Sequence, residues 1–390
     1  MRSAARTLAA ALPLASLSLC FASPPPQLQP SAAAAPPPAP AAPGPPAFPT
    51  ILDAIGNTPL LELPTLSRAT GCTILAKAEH LNPGLSVKDR AALSIIRGAL
   101  AEGRAVPGAT RVVEATGGNT GVALAFICAA LGLPLTLTMP DYVASEKVLA
   151  CEAMGATVLL CPSAGVAFAD ARHFYQVAKR LGAEPGHVWG NQFEGLRNRQ
   201  AHVAGTGAEL AAALAARGAA LDAFVVSAGT GGTLAGAGEA LRAAFPAVRL
   251  YLIDPPGSSL AAYVRTGTLQ ASAGRGTTLE GIGIGRLTAN FASCPPLTGV
   301  FDGTDEEAVA MMLYLAQREG VFVGPSAALN VVGAVKAARA LGPGKVVATV
   351  LCDSGARYLS KHFNPQWRAE NGLGSVPQAA PPAGQLDFVK

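Results

Sequence analysis

Charge and aromaticity are both scarce in this chain. Of its 390 residues, 14% are charged and 5% aromatic, while half are apolar. Lys and Arg number 29 against 25 Asp and Glu, a net charge of +4, and no run of like charges occurs. That excludes the clustered basic footprint of a nucleic-acid binder. Seven cysteines stand at 20, 72, 128, 151, 161, 294 and 352, and none forms a C-x-x-C pair. A zinc or disulfide framework is therefore not expected, nor is any metal site, and the thiols read as buried and free in a reducing compartment. No internal repeat is present. The standard nucleotide motifs fail as well. Gly229-Thr230-Gly231-Gly232-Thr233-Leu234 lacks the last glycine of G-x-G-x-x-G. Gly344-Lys345 is followed by Val346, and Arg339 stands where a Walker glycine is needed. Neither H-E-x-x-H nor G-x-S-x-G occurs, which leaves a dehydrogenase or hydrolase little support.

Acidic residues are absent from positions 1–47, which hold twelve prolines and only two charged side chains, Arg2 and Arg6. Residues 7–23 are apolar but interrupted by Pro13, and residues 24–46 are Pro/Ala-rich. Such a composition cannot build a core and favours an extended linker. An acid-free leader with arginines and serines suits an organellar transit peptide. A secretory signal ending near Phe21-Ala22-Ser23 and an uncleaved membrane anchor remain open, although Pro13 and the short run weaken the anchor. Membrane association is expected only in that last case. Setting the leader aside leaves 343 residues with 27 basic and 25 acidic side chains, enough for about two domains.

In this body, β-branched apolar runs recur at Thr73–Ala76, Arg111–Val113, Leu135–Met139, Thr157–Leu160, Ala223–Ser227, Leu250–Ile253 and Val346–Leu351. Helix-spaced segments lie between them at 89–102, 119–131, 167–181, 200–217, 304–319 and 326–341. Strands alternating with long helices predict an α/β fold with mostly parallel sheet. Glycine-rich turns follow several strands, at Thr116–Gly121, Gly229–Gly232 and Gly281–Gly285. In open α/β sheets, ligands bind where such turns sit.

Gly229-Thr230-Gly231-Gly232-Thr233 precedes a helix-like segment. Its N–H groups and hydroxyls could cradle a phosphate, or it is simply a tight turn. Thr116–Gly121 offers the same donors to an amino-acid carboxylate, with the same alternative. Lys88, at a loop-to-helix junction, is either solvated or the partner of a carbonyl cofactor in a Schiff base.

Six segments, in order, resemble the β-family of pyridoxal-phosphate enzymes, and especially the cysteine synthases. Ile55–Leu60 is similar to the family's I-G-N-T-P-L. Asn82–Arg90 resembles N-P-x-x-S-V-K-D-R, the segment with the cofactor lysine. Thr116–Gly121 resembles the T-S-G-N-T-G substrate loop and Asn191-Gln192-Phe193 the (D/N)-Q-F segment. Gly229–Thr233 is similar to G-T-G-G-T, and Asp353–Leu359 to D-S-G-x-R-Y-L. Glu280-Gly281-Ile282-Gly283 also resembles the E-G-I-G loop beside the cofactor. Leu66–Glu79, Val323–Asn330 and Leu351–Trp367 resemble a divergent, often mitochondrial eukaryotic branch, which implies the mitochondrion as the leader's address, with the plastid as alternative.

The resemblance implies pyridoxal 5′-phosphate held between two α/β domains with twisted, mostly parallel sheets. The smaller domain would span 82–190 and the larger 60–81 with 191–368; residues 369–390 read as a loose tail. It implies Lys88 as the catalytic, cofactor-bearing residue. Gly229, Thr230, Gly231, Gly232 and Thr233 would hold the phosphate, with Gly281 beside the cofactor. Asn119 would face the 3′-oxygen and Ser354 the pyridine nitrogen. Thr116, Gly117, Thr120 and Gln192 would hold the substrate carboxylate. Asp89 and Arg90 are expected in structural pairs. The activity implied is cysteine synthesis from O-acetylserine and sulfide in a homodimer. The alternatives are cystathionine β-synthase, cyanoalanine synthase, serine/threonine dehydratase, or a weakly catalytic regulatory protein. One departure bears on substrate: the family's usual serine is Gly117 here.

Overall fold

A computed structural model of the chain describes residues 50–270 and 276–390. The leader at 1–47 and its targeting readings lie outside the described residues. Among the described residues ten strands form two sheets, and none of the helices is long and apolar enough to cross a membrane.

The first sheet has six strands in the order β1-β2-β10-β7-β8-β9. These are β1 (Leu60–Glu62), β2 (Thr73–Lys77), β7 (Ala223–Val226), β8 (Arg249–Asp254), β9 (Gly299–Asp302) and β10 (Val346–Val350). Only β1 runs antiparallel, against β2. The second sheet is fully parallel in the order β5-β4-β3-β6. Its strands are β3 (Arg111–Ala115), β4 (Leu135–Pro140), β5 (Thr157–Cys161) and β6 (His187–Trp189). The inner strands β4 and β7 are buried along their whole length. Strands covered on both faces read as near-continuous apolar or β-branched runs, which is why both stand out in the sequence.

Thirteen α-helices pack around the sheets among the described residues. They run α1 (Pro64–Thr70), α2 (Lys88–Ala101), α3 (Asn119–Ala130), α4 (Ser145–Ala153), α5 (Phe174–Leu181), α6 (Arg197–Ala201) and α7 (Ala208–Ala215). Then follow α8 (Gly232–Ala244), α9 (Leu260–Thr266), α10 (Ala289–Ala292), α11 (Asp305–Tyr314), α12 (Pro325–Leu341) and α13 (Pro365–Glu370). A π-helical turn, His202–Gly207, joins α6 to α7. Around the second sheet, α2 and α3 bury Ile96, Leu124 and Ile127 against Leu135 and Leu137. Around the first, α12 buries Leu329, Val332 and Val335 with Ile74, Val225 and Ile253.

The segment 167–181, expected as one helix, is helical only from Phe174. Asp170 takes the Arg172 N–H at 2.8 Å, and the His173 ring caps α5 by accepting from the Tyr175 N–H at 3.2 Å. Side chains that satisfy the backbone locally compete with helix, and here they set its start. Residues 369–390, expected as a loose tail, pack instead. Leu386 and Val389 are buried with α11 and α12, and Leu373 and Val376 with Val309 and Leu313. Arg339 secures this segment by donating to the Leu386 carbonyl at 2.9 Å.

Candidate functional site

Lys88 is the first residue of α2, and the next two residues fix its position. Asp89 accepts the Gly84 N–H at 2.5 Å. Arg90 meets Glu79 at 2.6 and 2.9 Å and Glu209 at 2.6 and 2.7 Å, two forked ion pairs. Glu209 also meets Lys77 at 2.7 Å. Arg90, Glu79 and Lys77 are all buried, so the start of α2 is tied to β2, the segment after it and α7.

Lys88 faces a cavity of about 560 Å³, within the usual range for small-molecule sites. It keeps some surface open to that cavity yet is enclosed by protein. Burial pulls its ammonium below the ordinary lysine pKa, while Cys352 and Asp353 oppose the shift. The same cavity is lined by Thr116, Gly117, Asn119, Thr120 and Gln192. Gly229, Thr230, Gly231, Thr233 and Gly281 line it as well. Eleven of the thirteen residues singled out from the sequence thus meet on one cavity.

The two others do not line it. Gly232 opens α8, where a Cβ would collide with the Asn198 side chain. Ser354 is a correction to the expectation: its hydroxyl caps the following turn, accepting from the Ala356 N–H at 3.3 Å. Ser326, buried in the first turn of α12 and bonded to Cys352, does line the cavity.

The turn at 229–233 has the form of an anion cradle. Gly231 has φ +82°, a left-handed backbone that favours glycine, and a Cβ there would meet the Phe291 Cα at 2.6 Å. The 13-residue helix α8 begins at its end, so free N–H groups and the positive end of the helix dipole stand at the cavity wall. Three side chains not singled out in the sequence hold this turn. Asn198 donates to Thr230 Oγ1 at 2.9 Å, and Thr288 donates to the Thr230 carbonyl at 2.7 Å. His202 bridges Thr206 at 2.9 Å and Thr233 at 3.2 Å. Its complete burial, with Lys88 and Arg90 nearby, drives its pKa well below the usual value. Nothing local in the sequence marks these three residues, because each reaches the turn from a distant segment.

A second donor turn lines the cavity at the start of α3. The Thr116 hydroxyl accepts from the N–H groups of Gly118 and Gly121 at 3.0 and 3.2 Å, shaping the turn. Thr120 donates to Gln192 Oε1 at 2.7 Å, and Gln192 donates to the Ala115 carbonyl at 2.7 Å. Beneath them lies Glu114, which accepts from the N–H groups of Ala115 and Gln192 at 2.8 and 3.1 Å. Burial pushes Glu114 up to about 8. Asn119 donates to Asp353 at 2.6 Å and accepts from Arg357, so both ends of its amide are engaged.

These features fit pyridoxal phosphate. A phosphate suits the α8 cradle, and Lys88 is an enclosed amine of lowered pKa on the same cavity. Ser227, also on the wall, has a buried hydroxyl without a hydrogen-bond partner among the described residues. An incoming ligand would satisfy it.

Comparison with known proteins agrees with this geometry. Residues 51–353 match the family described as pyridoxal-phosphate dependent enzyme. The chain is 42% identical over 326 residues to a cysteine synthase of Dictyostelium discoideum, covering 81% of this chain and 84% of that one. It is 41% identical over 356 residues to cysteine synthase 2 of Schizosaccharomyces pombe, covering 86% and 87%. Among solved structures, the O-acetylserine dependent cystathionine beta-synthase from Helicobacter pylori superposes with a TM-score of 0.72 at 31% identity, covering 81% and 98%.

Proposed function

The chain belongs to the pyridoxal-phosphate dependent enzymes, and we propose that it is a cysteine synthase making L-cysteine from O-acetyl-L-serine and sulfide. The observation that carries this reading is the meeting of Lys88, the anion cradle and the carboxylate turn on one cavity. When bound, pyridoxal phosphate supplies an electron sink for the charge left at the substrate's Cα.

The chain's own residues do the rest. Gly229–Thr233 and the start of α8 hold the phosphate, with Asn198, Thr288 and His202 bracing the turn. Ser326, in place of Ser354, is the hydroxyl available to the ring nitrogen. Asn119, oriented by Asp353 and Arg357, serves the ring oxygen. The turn from Thr116 to Thr120 binds the substrate carboxylate through its N–H groups, while Gln192 keeps Thr120 in place. Lys88 Nζ takes the Cα proton. A base works best with a pKa near the working pH, and burial moves Lys88 in that direction. The Cβ–O bond to acetate breaks, sulfide forms the Cβ–S bond, and Cα regains its proton.

The test compares O-acetylserine plus sulfide with serine plus homocysteine, read as kcat/KM on purified protein. Preference for the first pair is expected; preference for the second overturns the assignment. One observation favours a second reading. A Cβ at Gly117 would meet nothing within 4 Å, so this wall leaves room for a different β-replacement substrate or nucleophile. Trials with cyanide and with bulkier thiols address it.

The acid-free, arginine-bearing leader supports import into mitochondria, checked by sequencing the N-terminus of protein recovered from that organelle. The 82–190 segment moving as a closing unit, and a homodimeric assembly, complete the proposal. Scattering with and without substrate tests both.

A further inference from the structure

Lys147 is a lysine at the cavity wall that the proposed reaction does not use. It sits in the first turn of α4, with its side chain buried. Its ammonium pairs with Glu280, on the loop bearing Gly281, and lies 4.8 Å from the centre of the Tyr358 ring. Burial opposes ionisation of Glu280, but its lysine partners outweigh this and hold its pKa below the usual carboxylate value.

Two details turn this ion pair toward the substrate. First, the lysine lies against the carboxylate turn. Gly118 has φ +143°, and a Cβ built there would stand 2.7 Å from Lys147 Cδ and 3.1 Å from Nζ. Any larger residue at 118 would displace the lysine as well as strain the backbone. The ammonium thus lies beside Gly118, the residue after Gly117, where the family's usual serine hydroxyl is missing and the space is open. Second, Glu280 has another cation. Lys361 Nζ meets its other oxygen at 2.5 Å. Glu280 therefore stays paired if Lys147 shares its charge with an incoming anion. An ammonium carries three donors, and among the described residues Glu280 is the one side-chain acceptor assigned to Lys147.

We infer that Lys147 is a substrate-binding residue, its ammonium contacting the α-carboxylate of the amino acid and taking over the role of the missing hydroxyl at position 117. This rests on the amino-acid substrate proposed above and extends it to specificity. A charged donor in place of a neutral one favours substrates with a free carboxylate and penalises amides and esters. Glu280 is the positioning residue, holding Lys147 on the turn until the substrate arrives.

The test uses cofactor-loaded full-length protein and two unreactive ligands, L-alanine and L-alaninamide, in calorimetric titrations. Losing a charge-assisted hydrogen bond corresponds to a drop in affinity of about 10- to 100-fold. Lys147→Met should show that drop for L-alanine and less than about threefold for L-alaninamide, on the same scale. Lys147→Arg should keep most of the affinity. Adding Gly117→Ser to Lys147→Met should recover part of it, since position 117 has room for the side chain. Unchanged L-alanine binding in Lys147→Met overturns the inference. So does an equal loss for both ligands, which would make the lysine a brace for the turn, and so does wild-type protein that binds no L-alanine. Wild-type protein that binds L-alanine in a Lys147-dependent way but makes no cysteine would sink the proposed reaction and leave this inference standing.

Discussion

Removing Arg90 should unfold the protein more readily than removing almost any surface charge, and the structure gives the size of the effect. Its guanidinium forks onto Glu79 at 2.6 and 2.9 Å and onto Glu209 at 2.6 and 2.7 Å. The Glu79 side chain is 0% exposed, and Glu209 is 21% exposed with Lys77 as a second partner. Arg90→Met therefore strands Glu79 with only Thr58 and Asn82 as hydrogen-bond donors. Breaking one side of a buried pair costs about 3–5 kcal/mol, because a buried charge loses its counterion. With a urea slope of about 3 kcal/mol/M for a chain of this size, the unfolding midpoint should fall by about 1 M or more. Arg90→Met with Glu79→Gln should recover much of that loss, since the stranded charge is gone. Because Lys88 is the neighbouring residue, the single variant should also lose activity while still folded at low urea. Equilibrium urea unfolding followed by fluorescence, with cysteine production measured in parallel, makes the comparison. A midpoint within about 0.3 M of wild type, on the same slope, would refute the reasoning.

Three further outcomes are expected. Glu114 is raised from the ordinary 4.5 to about 8 by burial, so the folded state favours its protonated form. Its contribution to stability is full below pH 4.5 and is lost as pH rises to about 8; Glu114→Gln should flatten that fall in urea titrations at several pH values. His202→Phe leaves the hydroxyls of Thr233 and Thr206 without their partner, and cofactor affinity in equilibrium dialysis should drop about tenfold, whereas an unchanged affinity would remove His202 from the cradle. Ser326→Ala should shift the absorbance of the bound cofactor and Ser354→Ala should not; the reverse pattern would reinstate Ser354.

The sheets were legible wherever strands are covered on both faces. β7 is a continuous apolar run, and β4 interrupts its apolar residues only with the β-branched Thr136 and Thr138. β1, β6 and β9 went unread because each is only three or four residues long and lies at a sheet edge, where burial imposes little pattern. The buried tail was missed for a related reason: Leu373, Val376, Leu386 and Val389 follow no period among prolines and glycines, and only the groove beside α11 and α12 makes sense of them.

In the site, the glycine turns and Lys88 could be read locally because backbone geometry and short spacing define them. What could not be read is what crosses from one segment to another. Ser354 follows Asp353, whose carboxylate holds Asn119 and Tyr358 at 2.6 Å each, yet its own hydroxyl turns away to cap a helical turn. Ser326, 28 positions earlier in the chain, reaches the cavity because α12 starts there. Asn198, His202 and Lys147 are similar cases: polar residues on helical segments whose meaning comes from the loop each one meets.

The central claim is that Lys88 bears the cofactor and moves the proton in a reaction that makes cysteine. Wild-type protein and Lys88→Ala, each loaded with pyridoxal phosphate, are given O-acetylserine and sulfide while cofactor absorbance and cysteine are recorded together. Wild type should form cysteine and absorb near the visible edge, and Lys88→Ala should lose both. A Lys88→Ala protein with unchanged absorbance and undiminished cysteine formation would contradict the claim.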